Sequence, residues 1–118
     1  MTSSEEREGG PNAAQLEASE AAFEDARRRA GGGQDLPEID FATFVLSLSH
    51  SAYVHLGDAP NPGDGRREVN LPMARQTIDL LVLLQDKTRN NLTGEEERIL
   101  EQALYDLRMR YVEGAKRS

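Results

Sequence analysis

"DFATFVLSLSHSAYVHLG", residues 40–57, is the stretch whose reading decides the fold. Its centre, "VLSLSHS", alternates apolar and polar residues as a half-buried strand does, yet the whole is as apolar as a buried helix. Length separates the two. No turn residue interrupts positions 41–56, and sixteen residues exceed an ordinary strand, which runs about 3–10. Asp40 suits a helix N-cap, and Gly57 suits the left-handed position that ends a helix. The stretch is therefore expected to be a helix over 41–56. Phe41, Phe44, Val45, Leu48 and Ala52 share one face at helical spacing, while Leu46, Tyr53 and Val54 lie elsewhere. The helix is apolar beyond a single stripe.

Downstream, "GDAPNPGDGRREVN" (57–70) is loop by every turn signal. Asn70 then caps a second helix over 71–89, with Pro72 tolerated in its first turn. Ala74, Ile78 and Leu81 mark its core side, but Leu80–Leu84 is an unbroken apolar run that wraps the circumference, as in a helix central to its assembly. "TGEE" announces a third helix over 94–113, with Thr93 and Glu96 forming a capping box. Its stripe is Ile99, Leu100, Ala103, Leu104, Leu107 and Tyr111, and Gly114 is read as its end. The short "RNNLT" connection makes the second and third helices an antiparallel hairpin. The expected fold is all-α, a small three-helix bundle.

Upstream of 38 the composition changes. Residues 1–12 are polar and rich in charge, glycine and proline, the signature of a segment without stable structure. Residues 12–30, "NAAQLEASEAAFEDARRRA", are strong helix formers, but their apolar face is little more than Leu16 and Phe23. The expectation is a flexible acidic segment over 1–37, disordered or weakly helical with a helix at 12–30. A helical domain follows over 38–114 and a tail over 115–118. About 75 residues then fold around one core, a size at which a single core supplies only about 3–5 kcal/mol. With no cysteine in the chain, a second copy or a partner remains as the way to bury more surface.

Charge and composition exclude several classes. The net charge is −7, and no basic tract is longer than Arg27–Arg29, which argues against nucleic acid. The longest apolar run, Leu80–Leu84, is far short of the roughly 20 residues of a membrane span. The start, "MTSSEEREGG", lacks the basic and apolar regions of a secretory signal. The expectation is a soluble, cytoplasmic chain.

No chemistry-bearing motif stands out. Ser51 and His55 share a helix face, but a nucleophile needs an orienting third group and an oxyanion hole, and mid-helix amides are already bonded. His50 and His55 stand about 140° apart around a helix, so they cannot chelate one metal together. The acids Glu95–Glu97 are ordinary first-turn residues of a helix, and the 57–70 loop lacks the lysine and serine of a phosphate loop. The expectation is no catalytic residue, no metal site and no cofactor. What remains is apolar surface beyond the needs of a small core, the mark of a contact face or homo-oligomer. Tyr53, Arg108, Arg110 and Tyr111 are the candidate partner-binding residues, because tyrosine and arginine are favoured at interfaces.

Three blocks, "DFATFVLSLSHSAYVHLG", "VNLPMARQTIDLLVLLQDKTRNNLT" and "EEERILEQALYDLRMRYVE", resemble a bacterial family of unknown function, a short helical domain, over about residues 38–113. His50 and the "GDGRRE" loop depart from the family pattern and leave the fold assignment intact. The resemblance carries no catalytic motif. Through one member, a small polarity protein of myxobacteria, it implies an interaction subunit in cell polarity and motility. That member acts with a response-regulator-like protein and promotes guanine-nucleotide exchange on a Ras-like GTPase. By the same likeness, recruitment to a cell pole is implied. A helical adaptor or homodimeric scaffold that leaves nucleotide state untouched is the alternative.

Overall fold

The computed structural model describes residues 9–31, 36 and 38–117. The expectation of disorder over 1–12 falls mainly outside these residues. Four helices form among them, with no strand: α1 (Ala13–Ala30), α2 (Phe41–Leu56), α3 (Leu71–Lys87) and α4 (Gly94–Arg117). The expected three-helix count is thus corrected to four. Two compact units divide the chain, Met1–Glu38 and Ile39–Ser118.

In the first unit, α1 is an eighteen-residue helix. It is defined at both ends by local chemistry. The Asn12 side chain accepts from the Gln15 amide at 2.8 Å while Gln15 Oε1 accepts from the Asn12 amide at 2.9 Å, a capping box. Arg27 pairs with Glu24, and Arg28 and Arg29 pair with Asp25, at helical spacings. None of its residues is buried. Capping and pairing, rather than a core face, give this helix its length; the sparse apolar stripe had suggested weaker structure.

In the second unit, α2, α3 and α4 pack on one another. Asp40 caps α2, its carboxylate accepting from the Thr43 amide at 2.8 Å. The Thr43 side chain first, and then this amide bond, hold the Asp40 carboxyl below its ordinary pKa. Gly57 ends α2 with φ 81°, its amide donating to the Val54 carbonyl and the Asp58 amide to the Tyr53 carbonyl. A Cβ added at Gly57 would lie 2.8 Å from Val69 Cγ2, so both φ and space demand glycine. The loop back is tied down by its own side chains and by the Asn70 amide, which donates to the His55 carbonyl at 2.7 Å.

Asn70 caps α3 and Thr88 ends it, its hydroxyl donating to the Leu84 carbonyl at 2.8 Å. The expected boundary at 89 is two residues long. Asn90 (φ 66°) supplies the turn, and the Thr93–Glu96 capping box starts α4 as its sequence predicts. α4 continues to Arg117, past the expected end near 113. Gly114 does not stop it. A Cβ there would stand 3.3 Å from Leu71 Cδ2, so this glycine allows the start of α3 to approach closely.

The core is Val45, Ala52 and Leu56 from α2, Ala74, Ile78 and Leu81 from α3, and Leu100, Leu104 and Leu107 from α4. Phe41, Leu48, Leu84, Ile99, Ala103 and Tyr111 flank it, half-buried. The apolar run of α3 splits: Leu81 is fully buried, whereas Leu80 and Leu83 are about half exposed. α3 is therefore not wrapped on all sides. Two antiparallel hairpins in series leave α2 and α4 running in the same sense.

Candidate functional site

Packing three helices fills the centre and leaves open grooves between α2 and α4 and between α3 and α4. The groove between α2 and α4 is lined largely by apolar surface and holds about 440 Å³. Leu46 and Tyr53 border it from α2, seven residues apart and so about 10 Å along the helix. Ile99 and Ala103 line it from α4, and Ser49 lies at its base. Glu95, Arg98, Gln102 and Asp106 form the polar side. Ser49 is buried but satisfied, its hydroxyl donating to the Val45 carbonyl at 2.8 Å. Small side chains at 49 and 103 between larger ones at 46, 99 and 53 give the groove a central depression.

One end of the groove is braced electrostatically. The Arg110 guanidinium lies 5.5 Å from the Tyr53 ring centroid and 3.5 Å from Asp58 Oδ2. Asp58 is held in turn through its backbone carbonyl, which accepts from Arg67 Nη1 at 2.9 Å. Tyr53 is half-buried and Arg110 exposed, so the pair presents an aromatic face with a cation across it.

Of the four residues singled out from sequence, Tyr53 and Arg110 come together here. Arg108 does not: two positions from Arg110, it turns to the α3–α4 side beside Tyr105, Met109 and Gln85. Tyr111 is half-buried against the core. Sequence reasoning missed Leu46, Ile99, Asp58 and Arg67 as parts of this site. Leu46 did leave a signal, since it and Tyr53 lie off the core stripe of α2 on a common side. Asp58 and Arg67 left none, because both belong to a loop whose path the sequence does not specify. Ser51 is exposed, and no hydrogen bond joins it to His55. Among the described residues, no cluster of three or more His, Cys, Asp or Glu could hold a metal. Nor is any helix among them long and apolar enough to cross a membrane.

The fold and groove define a small all-helical domain with an apolar channel on its surface. No curated protein and no solved structure matches the chain. The chain belongs to the family described as Domain of unknown function (DUF1844), whose model matches residues 38–113, from the approach to α2 through most of α4.

Proposed function

We propose that this chain is a protein-interaction subunit whose α2–α4 groove meets a partner protein, and that its partner is a Ras-like GTPase whose guanine-nucleotide exchange it promotes. The observation that carries the first part is the groove itself: an apolar floor, a depression at Ser49 and Ala103, and a braced Tyr53–Arg110 pair at one end. Tyrosine and arginine on the edge of a desolvated pocket are what anchors a protein interface. The second part is supported by the resemblance of the helical blocks to RomX, the myxobacterial polarity protein that acts with the response-regulator-like RomR on the GTPase MglA. Exchange requires no covalent chemistry of the chain. It requires a surface with higher affinity for the nucleotide-free GTPase than for the loaded one. On this reading the chain works in the cytoplasm, recruited to a cell pole with its response-regulator-like partner. The acidic N-terminal unit adds a second contact.

The test is release of a fluorescent guanine nucleotide from the Ras-like GTPase, with the chain and the response-regulator-like protein both present. Accelerated release supports exchange. Unchanged release, with the three proteins shown to co-sediment, removes exchange and leaves an adaptor. The adaptor reading has an observation of its own: Tyr105, Met109 and Val112 stay exposed on α4, away from the groove, and offer a second contact face.

A further inference from the structure

Helix α2 carries no Asp, Glu, Lys or Arg over its sixteen residues, in a chain whose net charge is −7. A surface helix ordinarily turns charged residues outward. Here the outward side is Phe44, Ser47 and Ser51, all exposed. On α3, Met73, Leu80 and Leu83 are exposed as well. Helical spacing sets these two stripes beside each other, with half-buried Leu48 and Leu84 between them at the edge of the core. The carboxylates of α3, Asp79 and Asp86, lie along its other edge with Val82. The α2–α3 face is thus apolar and free of acid, and it lies on the opposite side of α2 from the α2–α4 groove.

Charge, area and side-chain size favour a second copy of the chain on this face. Two molecules of net charge −7 repel least where neither presents a carboxylate. Helices of sixteen and seventeen residues are about 25 Å long and pack about 10 Å apart, so the face covers about 500 Å² on each copy. A pair then buries about 1,000 Å², the least that a specific interface needs. Along α2 the stripe is large at Phe44 and small at Ser51, seven residues on. Two copies of α2 laid antiparallel put each Phe44 on the small Ser51 of the other, a self-complementary fit. The same rotation brings Leu80 beside its counterpart near the axis and keeps the two Lys87 side chains at opposite ends. A parallel arrangement would bring both lysines to one end.

We propose that the α2–α3 faces of two copies of this chain pack across a two-fold axis, each α2 antiparallel to the other and each Phe44 seated on Ser51 of the second copy. The contact covers Leu80 and Leu83, which the packing of α3 on α2 and α4 leaves half exposed. Because the two faces of α2 are distinct, the α2–α4 groove stays open on both copies, and the proposal does not depend on the exchange reading.

Sedimentation equilibrium of the full-length chain should show monomer and dimer in exchange. Ser51→Glu should weaken the dimer about a hundredfold, because the new carboxylate is buried against Phe44 without a partner. Its position is exposed in the single copy, so the helical circular dichroism should not change. Disulfide trapping gives an independent reading. The chain contains no cysteine, so with one cysteine introduced any disulfide must join two copies. Leu80→Cys, beside the axis, should give the linked dimer on mild oxidation, and Tyr105→Cys, exposed on α4, should not. A wild type that stays monomeric at every concentration overturns the proposal and leaves the face to a different protein or to the chain's own N-terminal helix. So does a Ser51→Glu chain that dimerises as the wild type does, or linkage through Tyr105→Cys as ready as through Leu80→Cys.

Discussion

Leu81 and Leu83 stand two positions apart in the apolar run of α3, and truncating each tests where the core lies. Leu81 is fully buried and Leu83 is 53% exposed. Leu→Ala at 81 removes buried carbons, each worth about 0.8 kcal/mol, and leaves a cavity among Leu100, Leu104 and Leu107 that the helices close only in part. The total is about 3–4 kcal/mol. At 83 about half of the side chain is already in water and no enclosed cavity forms, so the loss is about 1 kcal/mol. These sums are set against a stability of about 3–5 kcal/mol for a unit of this size. Urea unfolding followed by tyrosine fluorescence isolates the packed unit, because Tyr53, Tyr105 and Tyr111 all lie in it and the chain has no tryptophan. With a slope of about 1 kcal/mol per molar urea, the midpoint falls by about 3 M for Leu81→Ala and about 1 M for Leu83→Ala. Equal losses would refute the reasoning, since they require the apolar run to be buried on both sides of α3.

Gly57→Ala forces a side chain into φ 81° and against Val69 Cγ2, and thermal unfolding should show a loss of about 1–2 kcal/mol that Val69→Ala partly recovers. The Asp40 carboxyl is depressed by the Thr43 side chain and by its bond to the Thr43 amide, so its contribution is present above the unfolded carboxylate pKa of about 3.9 and lost as pH falls through the lower folded value. Urea midpoints of the wild type and Asp40→Ala should therefore differ at neutral pH and converge in strong acid; a constant gap contradicts the cap. Ala103→Leu fills the centre of the α2–α4 groove at a half-buried position. It should leave the urea midpoint within about 1 M while abolishing the acceleration of nucleotide release. Tyr53→Ala should lower acceleration of nucleotide release about tenfold, and Arg108→Ala, on another side of α4, should leave it unchanged.

The helices were legible because their signals are local. Asp40, Asn70 and Thr93 each act on an amide three residues ahead, and Gly57 acts on its own φ, so short windows contain the whole cause. The core stripe of α4 followed from periodicity alone: Leu100, Leu104 and Leu107 are the residues that its 3.6-residue repeat selects. The errors came where a local sign had a tertiary meaning. Gly114 has the sequence look of a terminator, but it is placed for the approach of Leu71. The run Leu80–Leu84 suggested burial all round, yet a three-helix bundle covers at most two sides of any helix, and Leu80 and Leu83 fall outside them. The site was half legible. Tyr53 and Arg110 were chosen by residue type, and the structure joins them; Arg108 and Tyr111 were chosen on the same ground, and their helical angles send them elsewhere.

That split bears on why α2 is apolar beyond one stripe. Val45, Ala52 and Leu56 suffice to meet the buried leucines of α3 and α4, so core formation alone does not require Leu46, which is 62% exposed. Nor does it require small residues at 49 and 103, where larger ones would have closed the α2–α4 groove and buried more apolar area. Leu46 left in water and a depression left unfilled both cost stability in a domain that has little to spare. The two departures occur at the same place, and each makes sense if the groove is completed by a partner protein. Leu46 then gains cover, and Ser49 and Ala103 gain the side chain that fits between them. The serine-rich alternation that makes "VLSLSHS" look like a strand follows from this arrangement. Its leucines divide between the core edge at 48 and the groove at 46, and its buried serine, bonded to its own helix at Val45, keeps the groove open.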